Sequence, residues 1–320
     1  MADNLLDPVL LFFALGMLAG VLRSDLRLPE ALYETLSLYL LIAIGLKGGV
    51  ELHHRPLLEI LPPATATLLL GGLIPLTAYP ILRYLGRFST ADSAALAAHY
   101  GSVSAVTFAV VLAYLTTLEV AFEPYVPVLL VLLEVPAIGI GIALARLTEP
   151  SRRKVRWGPL VHEVFLGRSI YLLLGGLLVG WISGPERMAP IEPLFMDLFK
   201  GALALFLLEM GLVASRRLGD LRRAGPFLVG FALVMPFISA TFGIAAGWAV
   251  GLSIGGTTVL ATLAASASYI AAPAAVRIAI PEANPAFYLT ASLGVTFPFN
   301  IIVGIPVYYH LTAWIYHLGG

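Results

Sequence analysis

The sequence predicts an all-α membrane protein with ten transmembrane helices arranged as two inverted five-helix repeats. Composition is the first observation behind this. Of 320 residues, 59% are hydrophobic and 12% charged, and mean hydropathy is +0.92. A soluble domain carries about 25% charged residues. Repeated apolar runs of about 20 residues can cross the ~30 Å hydrocarbon core as helices, whereas barrel strands would read as ~10-residue alternating segments. The second observation is a strong asymmetry of Lys and Arg between alternate loops. The third is a steady internal offset between the two halves of the chain.

Ten spans are expected at roughly 8–22, 29–50, 58–83, 90–115, 122–146, 160–182, 192–215, 226–250, 255–278 and 286–315. The first follows MADNLLD, acidic where a secretory signal would be basic, so it is expected to be a retained helix. Of the 19 Lys and Arg, 15 fall on one side of this arrangement, from Arg23 and Arg27 through the 146–168 region to Arg277. The other side has Arg55 and Arg187, while Lys47 and Lys200 lie inside spans. The positive-inside rule then places both termini outside. It makes 148–159 (TEPSRRKVRWGP) a cytoplasmic linker, read as an ordinary basic loop.

That linker separates two similar halves, 1–147 and 160–320. Leu32, Tyr33, Leu36 and Gly49 match Leu194, Phe195, Leu198 and Gly211 at an offset of 162. Leu96, Ala97, Ser102 and Ser104 match Leu260, Ala261, Ser266 and Ser268 at 164, and Pro136 matches Pro298 at 162. Five spans per half force the second half to insert upside-down, the inverted repeat of many secondary transporters.

Such folds place their site at the midplane, where corresponding helices are broken. Span four contains AAHYGSVSAVTFAVV (97–111) and span nine LAASASYIAAPAAVR (263–277), each with a Ser-x-Ser about 12 residues, or ~18 Å, along its span. Pro273 lacks an amide hydrogen and clashes with the preceding turn of a continuous helix, but it suits the first turn of a new one. Span nine is therefore expected to unwind near Ser266–Tyr269 and restart at Ala271 or Ala272. Gly101 is expected to give span four its backbone freedom. Unwound backbone at this depth is tolerable only if it lines a cavity or coordinates something. Two half-helix N-termini suit a small anion, while carbonyls and hydroxyls suit sodium. Helix packing by small residues is the competing reading of each serine pair, and their recurrence at matching depth favours a site.

GSVSAVTFAVVLAYL (101–115), LLEVPAI (132–138), ASASYIAAPAAVRIAIPEANPAFY (265–288) and IGLKGG (44–49) resemble the sodium-dependent bicarbonate transporter family, best known from the cyanobacterial carbon-concentrating system. The resemblance covers nearly the whole chain. It implies a bile-acid-transporter/NhaA-like fold in which spans four and nine cross within a core domain of spans 3–5 and 8–10. Spans 1, 2, 6 and 7 would form the gate and oligomer side. It also implies a homotrimer in the cell inner (plasma) membrane and, in cyanobacterial members, a PII-like cytoplasmic regulator. The chain departs from the cyanobacterial pattern at three positions. Tyr269 and Glu134 each stand where that pattern has aspartate, and Lys47 where it has a small polar residue.

Glu134 lies about halfway along span five, and an ionisable group at that depth is read as functional. Thr296 is its symmetry mate, and Asn300 sits at comparable depth in span ten. The anion-binding candidates are thus Gly101, Ser102, Ser104, Ala105, Ser266, Ser268 and Tyr269. The sodium-binding candidates are Ser102, Ser104, Thr107, Glu134, Ser266, Ser268, Thr296 and Asn300. Gly101 and Pro273 mark the helix breaks. His99 is expected to be a satisfied core histidine. Lys47 is expected to snorkel outward or meet Glu51, and Glu209 to meet arginines near the cytoplasmic end or line the exit vestibule there.

With no cysteine, no phosphate-binding loop and no HExxH, the sequence gives no enzyme signature. No cofactor or transition metal is expected beyond Na+ as coupling ion, and zero net charge gives no sign of nucleic acid. The expectation is a symporter importing bicarbonate with sodium. Another small anion such as an organic carboxylate, coupled to sodium or protons, is the alternative within carriers, and an anion channel the alternative outside them.

Overall fold

A computed structural model describes residues 7–53, 56–148, 166–217 and 221–319, with 158, 162 and 219 as isolated positions. Residues 149–157, most of the expected linker, lie outside the described residues. Among the described residues the fold is helical without strands.

The first four long helices are α1 (Pro8–Val21), α2 (Glu30–Leu52), α3 (Leu61–Pro80) and α4 (Thr90–Gly101). They are followed by α5 (Ala105–Thr117), α6 (Val126–Thr148), α7 (Arg168–Met188) and α8 (Phe199–Arg217). The chain then forms α9 (Leu221–Ala249), α10 (Ile254–Ala265), α11 (Ala271–Ala279) and a long run, α12 (Pro285–Leu318). Among the described residues, seven helical segments are long and apolar enough to cross a membrane, and one of them joins α4 and α5 as Thr90–Thr117. Pro8–Val21 and Ile254–Ala265 are apolar but shorter. In α7 and α9 the chain kinks at Gly184 (φ 67) and Gly225 (φ 81), each directly before a proline.

Local chemistry explains where the broken helices begin. Ser89 Oγ accepts the Asp92 amide at 3.0 Å and donates to the Asp92 carboxylate at 2.6 Å, capping α4. Asp92 also accepts the Asn284 amide at 2.8 Å, which ties the loop before α12 to the start of α4. At α10 the cap is Ser253, whose Oγ accepts the Gly256 amide at 3.0 Å. Here the carboxylate comes from another loop: Glu123 accepts the Ser253 amide at 2.6 Å and its hydroxyl at 3.1 Å. A side chain at Gly256 would collide with the Glu123 carboxylate.

Packing sorts the helices into two groups. The most extensive contacts pair α2 with α7 and α1 with α8; α9 packs on α10, and α3, α4 and α6 pack on one another. Because lipid is as apolar as leucine, membrane helices gain from close backbone approach, which small residues allow. Gly45 and Gly49 of α2 lie against the Leu173 and Leu177 carbonyls of α7, while Gly176 and Gly180 lie against those of Ile42 and Leu46. These are two facing Gly-xxx-Gly ridges, and a Cβ at any of the four would strike backbone. The segment Thr90–Thr117 has 94% of its apolar window buried, which puts the first broken helix in the protein interior rather than against lipid.

Candidate binding site at the crossing of two broken helices

Both Ser-x-Ser motifs fall in helix interruptions. α4 ends at Gly101 and α5 begins at Ala105; α10 ends at Ala265 and α11 begins at Ala271. Pro273 is the third residue of α11, within the first turn, where its missing amide hydrogen has no helical partner to lose. Gly101 does not adopt a left-handed φ. Its lack of a side chain answers a steric need instead, since a Cβ there would meet Pro75 and Ala137 at 2.7 and 2.8 Å.

The interruptions are tied to one another through backbone. The Ser104 amide donates to Ser266 Oγ at 3.0 Å, and the Ser268 amide donates to the His99 carbonyl at 2.8 Å. Ser266 Oγ in turn donates to the Leu263 carbonyl at 2.8 Å, so that hydroxyl is committed as both donor and acceptor. Ser104 Oγ accepts the Thr107 amide at 3.1 Å, capping α5, and donates to Tyr269 OH at 3.2 Å. Ser268 Oγ accepts the Ala272 amide at 3.1 Å, doing the same for α11. Its own proton is available to a neighbour.

A cavity of about 20 Å³ lies at this crossing, lined by Val103, Ser104, Ala105, Ser268, Tyr269, Ile270 and Ala271 from the interruptions, Leu130 and Glu134 from α6, and Leu41 from α2. Both α5 and α11 thus start at one buried space. Their positive dipole ends suit negative charge, whereas the Glu134 carboxylate and the hydroxyls suit a cation. Glu134 is 4% exposed and lies beside Ser102, whose buried Oγ makes no formal hydrogen bond. The volume is that of one or two water probes, enough for one small ion.

Ser104, Ala105, Ser268, Tyr269 and Glu134 are the predicted residues brought together at the cavity wall. Gly101, Ser102, Thr107, Ser266, Thr296 and Asn300 stand behind it. Thr296 Oγ1 donates to the Ala232 carbonyl at 2.7 Å and lies 2.7 Å from Tyr100 OH. Asn300 donates to the Ala265 carbonyl at 2.9 Å and accepts from Tyr308 OH at 2.8 Å, which satisfies the last carbonyl of α10. Sequence reasoning missed Leu41, Val103, Leu130, Ile270 and Ala271, because an apolar residue in an apolar span carries no signal of facing a site. His99 is fully buried and stacks on Tyr288 at 4.2 Å, with Nδ1 2.6 Å from the Ala95 carbonyl. Its Nε2 has no partner, which departs from the expected fully satisfied histidine, and its backbone carbonyl is what reaches the site.

Two interrupted helices that bring their N-termini, hydroxyls and a carboxylate to one buried cavity are the arrangement that membrane transport folds use. A family model, the Na+-dependent bicarbonate transporter superfamily, matches residues 8–313. The chain belongs to that superfamily, a family of transporters rather than enzymes. No curated protein matches the chain.

Proposed function

We propose that the protein carries bicarbonate inward, coupled to sodium, by alternating access at the crossing of α4–α5 with α10–α11. The observation that carries this reading is the shared start of α5 and α11 at a cavity walled by Glu134. Helix N-termini favour the anion, and the carboxylate with the Ser104, Ser268 and Tyr269 oxygens favours sodium. Neither ion is well compensated alone at this depth, and each offsets the other's charge, which is a physical basis for coupling. Residues at the wall are assigned direct contact; Gly101, Ser102, Thr107, Ser266, Thr296 and Asn300 are assigned the positioning of those contacts.

The same reading takes the chain as ten passages in two inverted halves, with α4–α5 and α10–α11 each counting as one passage. The reciprocal loop ties support it: Glu123, before α6, holds the start of α10, and Asn284, before α12, holds the start of α4. The arginine asymmetry supports extracytoplasmic termini in the plasma membrane, and the family resemblance supports a homotrimer and a PII-like regulator. A carrier suits the cavities better than a channel does, because the central cavity shares no lining residue with the 740 Å³ cavity bounded by Lys47 and Lys200.

Uptake of radiolabelled bicarbonate into proteoliposomes, with sodium replaced by potassium or choline, tests the proposal. Sodium-stimulated, saturable uptake is expected. Uptake indifferent to sodium would sink the coupling, and preferential uptake of an organic carboxylate would move the assignment to the other anion class.

A further inference from the structure

Three cavities lie in series along α2 and α6. The first is bounded by Tyr33, Glu34 and Ser37 of α2 and Ile138 of α6; the central one by Leu41, Leu130 and Glu134; the third by Ile44, Lys47, Glu51, Val126 and Pro127. From Tyr33 to Glu51, α2 rises about 27 Å, nearly the thickness of the hydrocarbon core. The central cavity shares Leu41, Ile270 and Ala271 with the first, and nothing with the third. The site is therefore contiguous with the Glu34 side and separated from the Lys47 side.

Volume then separates the two ions. About 20 Å³ holds a water or a bare sodium ion. It is the tighter of the two spaces for an anion of four heavy atoms. The adjoining cavity, about 320 Å³, has the room, and Arg168 is the one cation on its wall among the described residues. Arg168 Nη1 donates to Glu34 Oε1 at 3.2 Å, with the two side chains 62% and 49% exposed. An ion pair so open to water is weak and readily exchanged. The planar guanidinium can take two oxygens of an oxyanion at once, and Tyr33 and Ser37 add hydroxyls to the same wall.

We propose that this cavity is a second site for a small oxyanion, centred on Arg168, which holds bicarbonate between the central crossing and the face where α7 begins, displacing Glu34 as counter-ion. The inference rests on the bicarbonate reading above and extends it. In the conformation described here the cation would occupy the crossing and the anion the Arg168 cavity.

Sodium-dependent exchange of radiolabelled bicarbonate, measured in membrane vesicles of both orientations, tests it with the full chain. Arg168→Gln is expected to raise the half-saturating bicarbonate concentration at the Arg168 face about tenfold, as loss of a charged hydrogen bond implies, and at the opposite face less than about twofold. Glu34→Gln frees Arg168 and is expected to lower the value at the same face. Unchanged half-saturation in Arg168→Gln at normal membrane level would overturn the site. Should that variant fail to insert, Glu34→Gln decides alone, and an unchanged or raised value overturns the site. Wild-type protein without sodium-stimulated bicarbonate exchange would instead overturn the transport reading, and this site with it.

Discussion

The Ser104 amide meets the Ser266 hydroxyl at 3.0 Å across 162 positions of sequence. This contact joins the two helix interruptions directly, and Ser266 completes it by donating to the Leu263 carbonyl. Ser266 does not line the cavity and spends both hydrogen-bonding roles inside the protein, so it holds the crossing together. Ser268, two residues on, faces the cavity.

That division separates two mutational outcomes. Ser266→Ala strands the buried Ser104 amide, a loss of about 1–3 kcal/mol. Its thermal unfolding in detergent is expected at lower temperature than wild type, with the half-saturating bicarbonate concentration little changed. Wild-type thermal stability in this variant would remove the pinning role.

Ser268→Ala and Ser104→Ala keep size and helix compatibility but remove a hydroxyl from the cavity wall, along with the cap it gives the Ala272 or Thr107 amide. Uptake is expected to fall at least about tenfold at equal surface level, since a hydrogen bond to a charged ligand contributes about 1.5–3 kcal/mol. Near-normal uptake in both would return these serines to packing.

Among the described residues, Glu134 is the one carboxylate on the wall of the central cavity. Glu134→Gln keeps shape and removes charge, so sodium-stimulated uptake is expected to vanish while the protein still inserts. Tyr269→Phe removes the hydroxyl 3.2 Å from Ser104 Oγ and is expected to weaken substrate affinity severalfold without abolishing sodium dependence. A sodium titration of uptake that is identical in wild type and Glu134→Gln would reject this residue as the coupling group.

The facing glycine ridges predict a different failure. Gly49→Val would drive side-chain carbon into the Leu177 carbonyl, and backbone in a helix pair cannot step aside locally. Protein reaching the membrane is expected to drop sharply, as quantitative immunoblotting of membrane fractions would show. Gly139→Val, at a glycine whose Cβ would meet nothing, is the control and should express normally.

The cysteine-free chain makes topology directly testable. Glu119→Cys and Arg277→Cys both place a thiol at an exposed position. An impermeant maleimide added to intact cells is expected to label the first and spare the second. The reverse pattern would invert the orientation drawn from the arginine distribution.

The sequence by itself determined the membrane class, since long apolar runs with few charges leave helices as the form that satisfies every backbone group in lipid. It also located the helix interruptions, because Pro273 favours the first turn of a new helix and Ser-x-Ser recurs at matching places in both halves. Glu134 was legible for a similar reason: a carboxylate inside an apolar run stands out. Tertiary structure alone decided which hydroxyls face the cavity. Ser266 and Ser268 are the same residue type two positions apart, and only the direction of each side chain at the crossing makes one a pin and the other a wall. Thr296 and Asn300 read as ion ligands by depth, yet their bonds to the Ala232 and Ala265 carbonyls come from helices that meet theirs only when folded. Gly256 has an innocuous sequence context, and Glu123 fills the space above it from 133 positions away. Hydropathy and helix breaking are properties of a few neighbouring residues and can be read locally. A cavity wall is a meeting of distant segments, and its membership is set by the packing of α2, α6 and the two broken helices against one another.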